Sequence, residues 1–198
     1  LHLLLIGDPG CGKSQMLTFV NATAPKARYV AGRSASGAGL TASVVKDEFL
    51  KGWALEAGAM VLADKGILVL DEMDKISKDD TSALHEAMEQ QHISIAKANI
   101  QATLRTQTSI FAAANPKLGR FDPYTPIPNQ IDMPPALINR FDLIFVMRDL
   151  PNREIDANIA TRVLQAHSGE DAKPEIEGKM FRKYLAYTKQ KVFPKLTD

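Results

Sequence analysis

Eight consecutive residues, Gly7-Asp8-Pro9-Gly10-Cys11-Gly12-Lys13-Ser14, have the pattern of a loop that grips phosphate. Its glycines let the backbone fold tightly enough for successive N–H groups to point at one anion. An apolar run, Leu3 to Ile6, comes before the loop. A helical stretch from Lys13 to about Thr23 comes after it and is stopped before Pro25. A helix starting there turns its positive end toward the same anion. Lys13 adds a mobile point charge for terminal phosphates, and Ser14 adds a hydroxyl for Mg²⁺. The pattern therefore calls for ATP with Mg²⁺, contacted by Gly7, Asp8, Pro9, Gly10, Cys11, Gly12, Lys13, Ser14 and Gln15. Cys11 sits at a variable loop position and takes no redox or nucleophilic role.

Further along, Asp71 and Glu72 close the apolar run Ile67 to Leu70. Asp71 there can reach the metal directly or through water, and Glu72 can polarise the attacking water. The plainer alternative is two solvent-facing acids at a strand end. Asn115 ends the run Ser109 to Ala114 and either orients that water or caps the strand. Arg140 either reaches a neighbouring subunit's nucleotide, neutralising charge that develops in phosphoryl transfer, or pairs locally with Asp142 or Asp132. Lys97 either touches a DNA phosphate or solubilises a turn. Trp53 reads as packing rather than base stacking, and His85 and His92 lack metal-ligand spacing.

The elements that must position these residues alternate between strand and helix. Arg28 to Ala31 predicts a second strand, Gly32 to Gly39 a loop, and Leu40 to Glu48 and Leu55 to Leu62 helical pieces flanking an insert at Phe49 to Trp53. Ser77 with Asp80 marks a helix start, and the helix places Leu84, Ala87, Met88 and Gln91 on one stripe. His92 to Ala96 and Ile100 to Leu104 predict a hairpin with Lys97 at or beside its tip. A Pro-rich loop, Gly119 to Pro135, leads to a short helix at Ala136 to Arg140 and a last core strand at Leu143 to Met147. Ile155, Ile159, Val163 and Ala166 have helical spacing, and another helix covers Lys179 to Lys191. The sum is an α/β fold with a five-stranded parallel sheet between helices.

Composition narrows the classes. The chain has 198 residues and is 45% hydrophobic, enough for a sizeable core and unlike a disordered chain. Its 23 acids and 24 Lys plus Arg give a net charge of +1, which argues against a strongly basic platform but leaves room for a local patch. A single cysteine excludes an intrachain disulfide and a thiolate zinc cluster. No run reaches the roughly 18 apolar residues of a membrane helix, so no membrane partner is expected. A core strand opening at Leu1 is expected of a piece of a longer chain.

Taken together, these segments resemble the AAA+ ATPase domain of the minichromosome maintenance (MCM) replicative helicases. The matching stretches are Gly7 to Ser14 continued by Gln15-Met16-Leu17, Gly39-Leu40-Thr41-Ala42, Leu55 to Ala59, Asp71-Glu72-Met73-Asp74-Lys75, His85 to Gln91, Ser94 to Ala98, Ala113 to Pro116 and Arg140 to Phe145. The resemblance implies an AAA+ core over residues 1–150 with a pre-sensor hairpin, then a linker helix and the start of a truncated helical lid over 151–198. It implies that Asn115 is a first sensor, that Arg140 is an arginine finger acting in trans and that Lys97 contacts DNA in the ring channel. Val45 to Leu55 resembles the family's insert in the second helix. Implied partners are DNA and further copies of the chain, or related MCM subunits, in a hexamer or double hexamer that couples ATP hydrolysis to unwinding. The expected location is the cytoplasm beside the nucleoid if the source is archaeal, and the nucleus if eukaryotic. Departures from the family pattern are Gln107 where an arginine is usual, Met73 for phenylalanine and Asn139 for serine. An isolated domain is expected to hydrolyse ATP weakly. The competing readings are a chelatase-type protein-remodelling ATPase and a non-catalytic ATP-binding scaffold.

Overall fold

The computed structural model describes residues 1–47, 52–97, 99–168 and 176–195. The chain runs β1 (Leu3–Gly7), α1 (Lys13–Thr23), β2 (Ala27–Ala31), α2 (Gly37–Leu40), then a hairpin of β3 (Ala42–Asp47) and β4 (Gly52–Ala57). Next come α3 (Ala59–Leu62), β5 (Ile67–Asp71), α4 (Lys78–Gln90) and a second hairpin of β6 (His92–Lys97) and β7 (Ile100–Arg105). Last are β8 (Ser109–Ala114), α5 (Pro135–Ile138), β9 (Leu143–Met147), α6 (Arg153–His167) and α7 (Gly178–Lys191).

β2, β5, β8, β1 and β9 lie in that order in one sheet, and every pairing is parallel. Alternate residues of a strand face opposite sides, and the three inner strands bury both. Leu4, Ile6, Leu68, Leu70, Ile110 and Ala112 pack on one face with Leu84, Ala87 and Met88 of α4. Leu5, Val69 and Ala113 pack on the other with Leu17 of α1. That two-sided burial explains why these strands read as unbroken apolar runs.

The start of α4 is as expected: Ser77 Oγ accepts the Asp80 N–H at 3.2 Å and donates to Asp80 Oδ2 at 2.7 Å. Gln91 does not continue the apolar stripe. It is the C-cap, in left-handed backbone at φ 56°, and it ends the helix while its carbonyl accepts the Thr106 N–H. The second hairpin forms as read from its alternation, with Lys97 opposite Ile100.

Four further expectations need correction. The segments read as helices around an insert instead build the first hairpin, with Val44 opposite Leu55 and Lys46 opposite Trp53. Only short α2 and α3 remain helical there, and residue 48 of the expected helix and 49–51 of the expected insert lie outside the described residues. Trp53 is half exposed rather than packed away. β9 is an edge strand, not a core strand, with Phe145 50% exposed. The helix α6 forms, but Ile155, Ile159 and Val163 of its apolar stripe are exposed. An apolar run records what a face prefers, and the strand order decides how much of it is covered.

Leu70 is fully buried and adjoins Asp71, so Leu70→Ala should cost about 2–5 kcal/mol in urea unfolding. Leu118→Ala, at a residue 81% exposed, should stay within about 0.5 kcal/mol.

Candidate functional site

Parallel strands end together, and the polar residues of this chain collect on the rim where β1, β5 and β8 finish. Between β1 and α1 the backbone takes left-handed turns at Gly10, φ 87°, and Gly12, φ 76°. Side chains rarely adopt that conformation, so glycine belongs at both. Gly12 is also the N-cap of α1 and offers no side-chain cap. The first-turn N–H groups of an uncapped helix are donors in search of an acceptor. They border a cavity of about 380 Å³ lined by Pro9, Gly10, Gly12, Lys13, Ser14 and Gln15 on one side and by Asp71, Glu72 and Ala113 to Asn115 on the other.

Lys13 is buried, and its ammonium donates to the carbonyls of Gly7 and Asp8, both at 2.7 Å. Burial pulls its pKa below the usual lysine range, against the opposing pull of charges at Cys11, Asp8, Asp71 and Asp74. A polyphosphate in the cavity would offset that burial cost directly.

Opposite Lys13, Asp71 is buried and held through both oxygens: Oδ1 accepts the Glu72 N–H at 2.9 Å and Oδ2 accepts the Tyr29 hydroxyl at 2.8 Å. Burial and then the bond to Asp71 push the Tyr29 phenol up to about 12, so it stays a donor at neutral pH. Glu72 sits in left-handed backbone, φ 50°. A Cβ on Gly32 would fall 2.2 Å from the Glu72 carbonyl oxygen, so the chain passes beneath Glu72 only as glycine. The Glu72 carboxylate pairs with Arg33 at 3.2 Å. Asn115 is located through its own N–H, which Asp74 Oδ1 accepts at 3.0 Å.

The structure thus gathers Lys13, Ser14, Gln15, Asp71, Glu72 and Asn115 around one cavity and leaves other candidates away from it. Asp8 points backwards: Oδ1 accepts the Phe121 N–H at 2.7 Å and Oδ2 the Asp149 N–H at 2.9 Å. The carboxylate pins the loop to the segments after β8 and β9. Cys11 faces the Met147 carbonyl, 3.9 Å away, and Gly7 abuts Met147. Arg140 pairs with neither Asp142 nor Asp132. Its guanidinium meets Glu89 at 2.7 Å and its Nε donates to His85 at 3.4 Å, both on α4. Asp142 instead accepts the His2 backbone N–H, which holds its carboxyl below the usual range. Lys97 is exposed beside the hairpin tip.

Tyr29, Arg33, Asp74, His85 and Glu89 touch these groups and were not among the expected site residues. Asp74 lies in Asp71-Glu72-Met73-Asp74-Lys75 and His85 and Glu89 in His85 to Gln91, stretches that give no sign of the partner each one meets. Among the described residues no cluster of three His, Cys, Asp or Glu could hold a metal, and no helix is long and apolar enough to cross a membrane. A hydroxyl at Ser14 and a carboxylate at Asp71 are hard oxygen ligands that suit a cation keeping most of its waters, as Mg²⁺ does.

Comparison with known proteins places this geometry among relatives. Residues 1–167 match the MCM P-loop domain. The chain is 48% identical over 198 residues to the minichromosome maintenance protein MCM of Saccharolobus solfataricus, covering 100% of this chain and 29% of that protein. It is 45% identical over 199 residues to the DNA replication licensing factor MCM6 of Arabidopsis thaliana, covering 100% and 24%. It is 42% identical over 216 residues to the DNA replication licensing factor mcm2 of Schizosaccharomyces pombe, covering 99% and 26%. The chain therefore spans under a third of the length of each of these relatives.

Asp8→Asn replaces one acceptor with an NH₂ that must face an N–H donor. The variant should lose about 1–3 kcal/mol in thermal or urea unfolding. Cys11→Ala, which removes only a long sulfur contact, should change stability by under about 1 kcal/mol.

Proposed function

The chain belongs to the MCM family as its P-loop domain, and from that premise we propose that it is the ATP-hydrolysing part of a ring-shaped DNA helicase or translocase. The observation that carries the proposal is the single cavity that brings Lys13, Ser14, Asp71, Glu72 and Asn115 together from three strand ends.

In this reading the first turn of α1 and the left-handed glycines cradle the phosphates. Lys13 turns from the carbonyls of Gly7 and Asp8 to the terminal phosphate, a short movement for a side chain already inside the cavity. Ser14 and Asp71 hold Mg²⁺, which supplies charge neutralisation on the phosphate oxygens. Glu72, released from Arg33, accepts the developing proton of the attacking water, and Asn115 orients that water. Arg140 does not line its own chain's cavity, and Glu89 and His85 of α4 hold its guanidinium. It is therefore available to a neighbouring copy's nucleotide, where it offsets charge developing in phosphoryl transfer. Lys97 contacts the DNA backbone, an interaction that grips without reading sequence. Such a ring works where the genome is, beside the nucleoid in an archaeon or in the nucleus of a eukaryote.

On the full-length protein, Glu72→Gln should keep nucleotide binding and lower turnover by about 10²-fold or more. Lys97→Ala should lower the ratio of DNA-stimulated to basal hydrolysis several-fold. Hydrolysis indifferent to DNA in the parent would favour a protein-remodelling ATPase, and no Glu72-dependent turnover would favour a scaffold. Mixing Arg140→Ala with Glu72→Gln subunits should recover part of the lost activity in rings shown to be mixed. Absence of recovery in such rings would sink the assignment in trans.

A further inference from the structure

We propose that Tyr29 is a positioning residue for the divalent cation, acting through the Asp71 carboxylate; the role rests on the ATPase reading above. β2 runs parallel to β5 with Ala31 opposite Asp71. Tyr29, two residues before Ala31, lies on the same face as Asp71, and its ring bridges the diagonal between strands. Its hydroxyl ends 2.8 Å from Asp71 Oδ2. The second oxygen, Oδ1, is already engaged by the Glu72 N–H at 2.9 Å. With one bond on each oxygen, the carboxylate cannot turn about its Cβ–Cγ bond. Each oxygen keeps a further lone pair for the ion or for a water bound to it. Tyr29 thus sets the direction in which those lone pairs point into the cavity.

Ring packing alone does not account for this residue. Tyr29 is 41% exposed, and phenylalanine would cover the same apolar surface. The hydroxyl is the part that bonds, and it bonds to the acid that the ATPase reading assigns to the metal. Donation by the phenol draws some negative charge from Asp71 and so slightly weakens its pull on a cation. The fixed orientation offsets that loss, because groups that orient a metal ligand typically change affinity by about 10–100-fold when removed.

The test compares wild type, Tyr29→Phe and Tyr29→His in the full-length protein. Mn²⁺ uptake in the presence of a non-hydrolysable ATP analogue is followed by electron paramagnetic resonance. Binding of a fluorescent ATP analogue in EDTA is measured in parallel. Tyr29→Phe should keep metal-free nucleotide binding, raise the half-saturating Mn²⁺ concentration about 10-fold and regain most of its kcat at high metal. Tyr29→His has a ring N–H that ends short of the position of the Tyr29 hydroxyl, and it should behave like Tyr29→Phe. Wild-type metal affinity in Tyr29→Phe overturns the role while leaving the ATPase reading intact. Loss of metal-free nucleotide binding in Tyr29→Phe would also overturn it, since the residue would then shape the whole cavity. A wild-type protein that takes up no Mn²⁺ with nucleotide removes the ATPase reading, and the role of Tyr29 with it.

Discussion

The common direction of the five sheet strands is the constraint on which the rest of the molecule depends. Because β1, β2, β5, β8 and β9 all run the same way, their carboxyl ends share one rim. The three inner strands are clamped by apolar side chains on both faces, so the groups at their ends inherit a rigid base. Register then does what proximity in sequence cannot. Asp8 meets Phe121 and Asp149, which are 113 and 141 residues away, and Tyr29 meets Asp71 across 42. An antiparallel sheet would scatter the same residues between two rims. The cavity is a property of strand polarity before it is a property of any side chain.

How much of this could be read in advance depends on whether the information is local. The loop Gly7 to Ser14 was legible because its function lies in consecutive backbone groups, and Asp71 and Glu72 because an apolar run ends at them. The second hairpin was legible from the alternation of Ile93 and Ile95 across a short turn. The first was not. Ala54, Leu55, Glu56 and Ala57 are good helix formers, and they become a strand because Val44 and its neighbours offer them a partner. The edge position of β9 was hidden for a similar reason, since composition does not report strand order. Tyr29, Asp74, His85 and Glu89 were out of reach because each finds its partner through tertiary register, as when Arg140 meets His85 across 55 residues.

Glu72 illustrates how backbone and side chain divide a task. Its left-handed φ and the close passage of Gly32 beneath it fix where its carbonyl and Cα sit, without any contribution from its carboxylate. The carboxylate rests on Arg33. Beside it, the Asp71 carboxylate is held through both oxygens. Arg140, by contrast, does not line the cavity and is held by Glu89 and His85 of α4.

Helix α4 ties these groups together. It begins a few residues after Glu72, where Ser77 and Asp80 cap it and Asp80 also accepts the Gly37 N–H at the start of α2. Its later turns present His85 and Glu89 to Arg140, and its left-handed exit at Gln91 leads straight into the hairpin that carries Lys97. Thirteen residues make a rod about 20 Å long. A rod anchored at one end cannot roll about its axis without carrying the guanidinium on its flank and the hairpin on its tip through the same arc. In mechanical terms α4 is a crank with two loads, so the guanidinium on its flank and the hairpin on its tip share one degree of freedom.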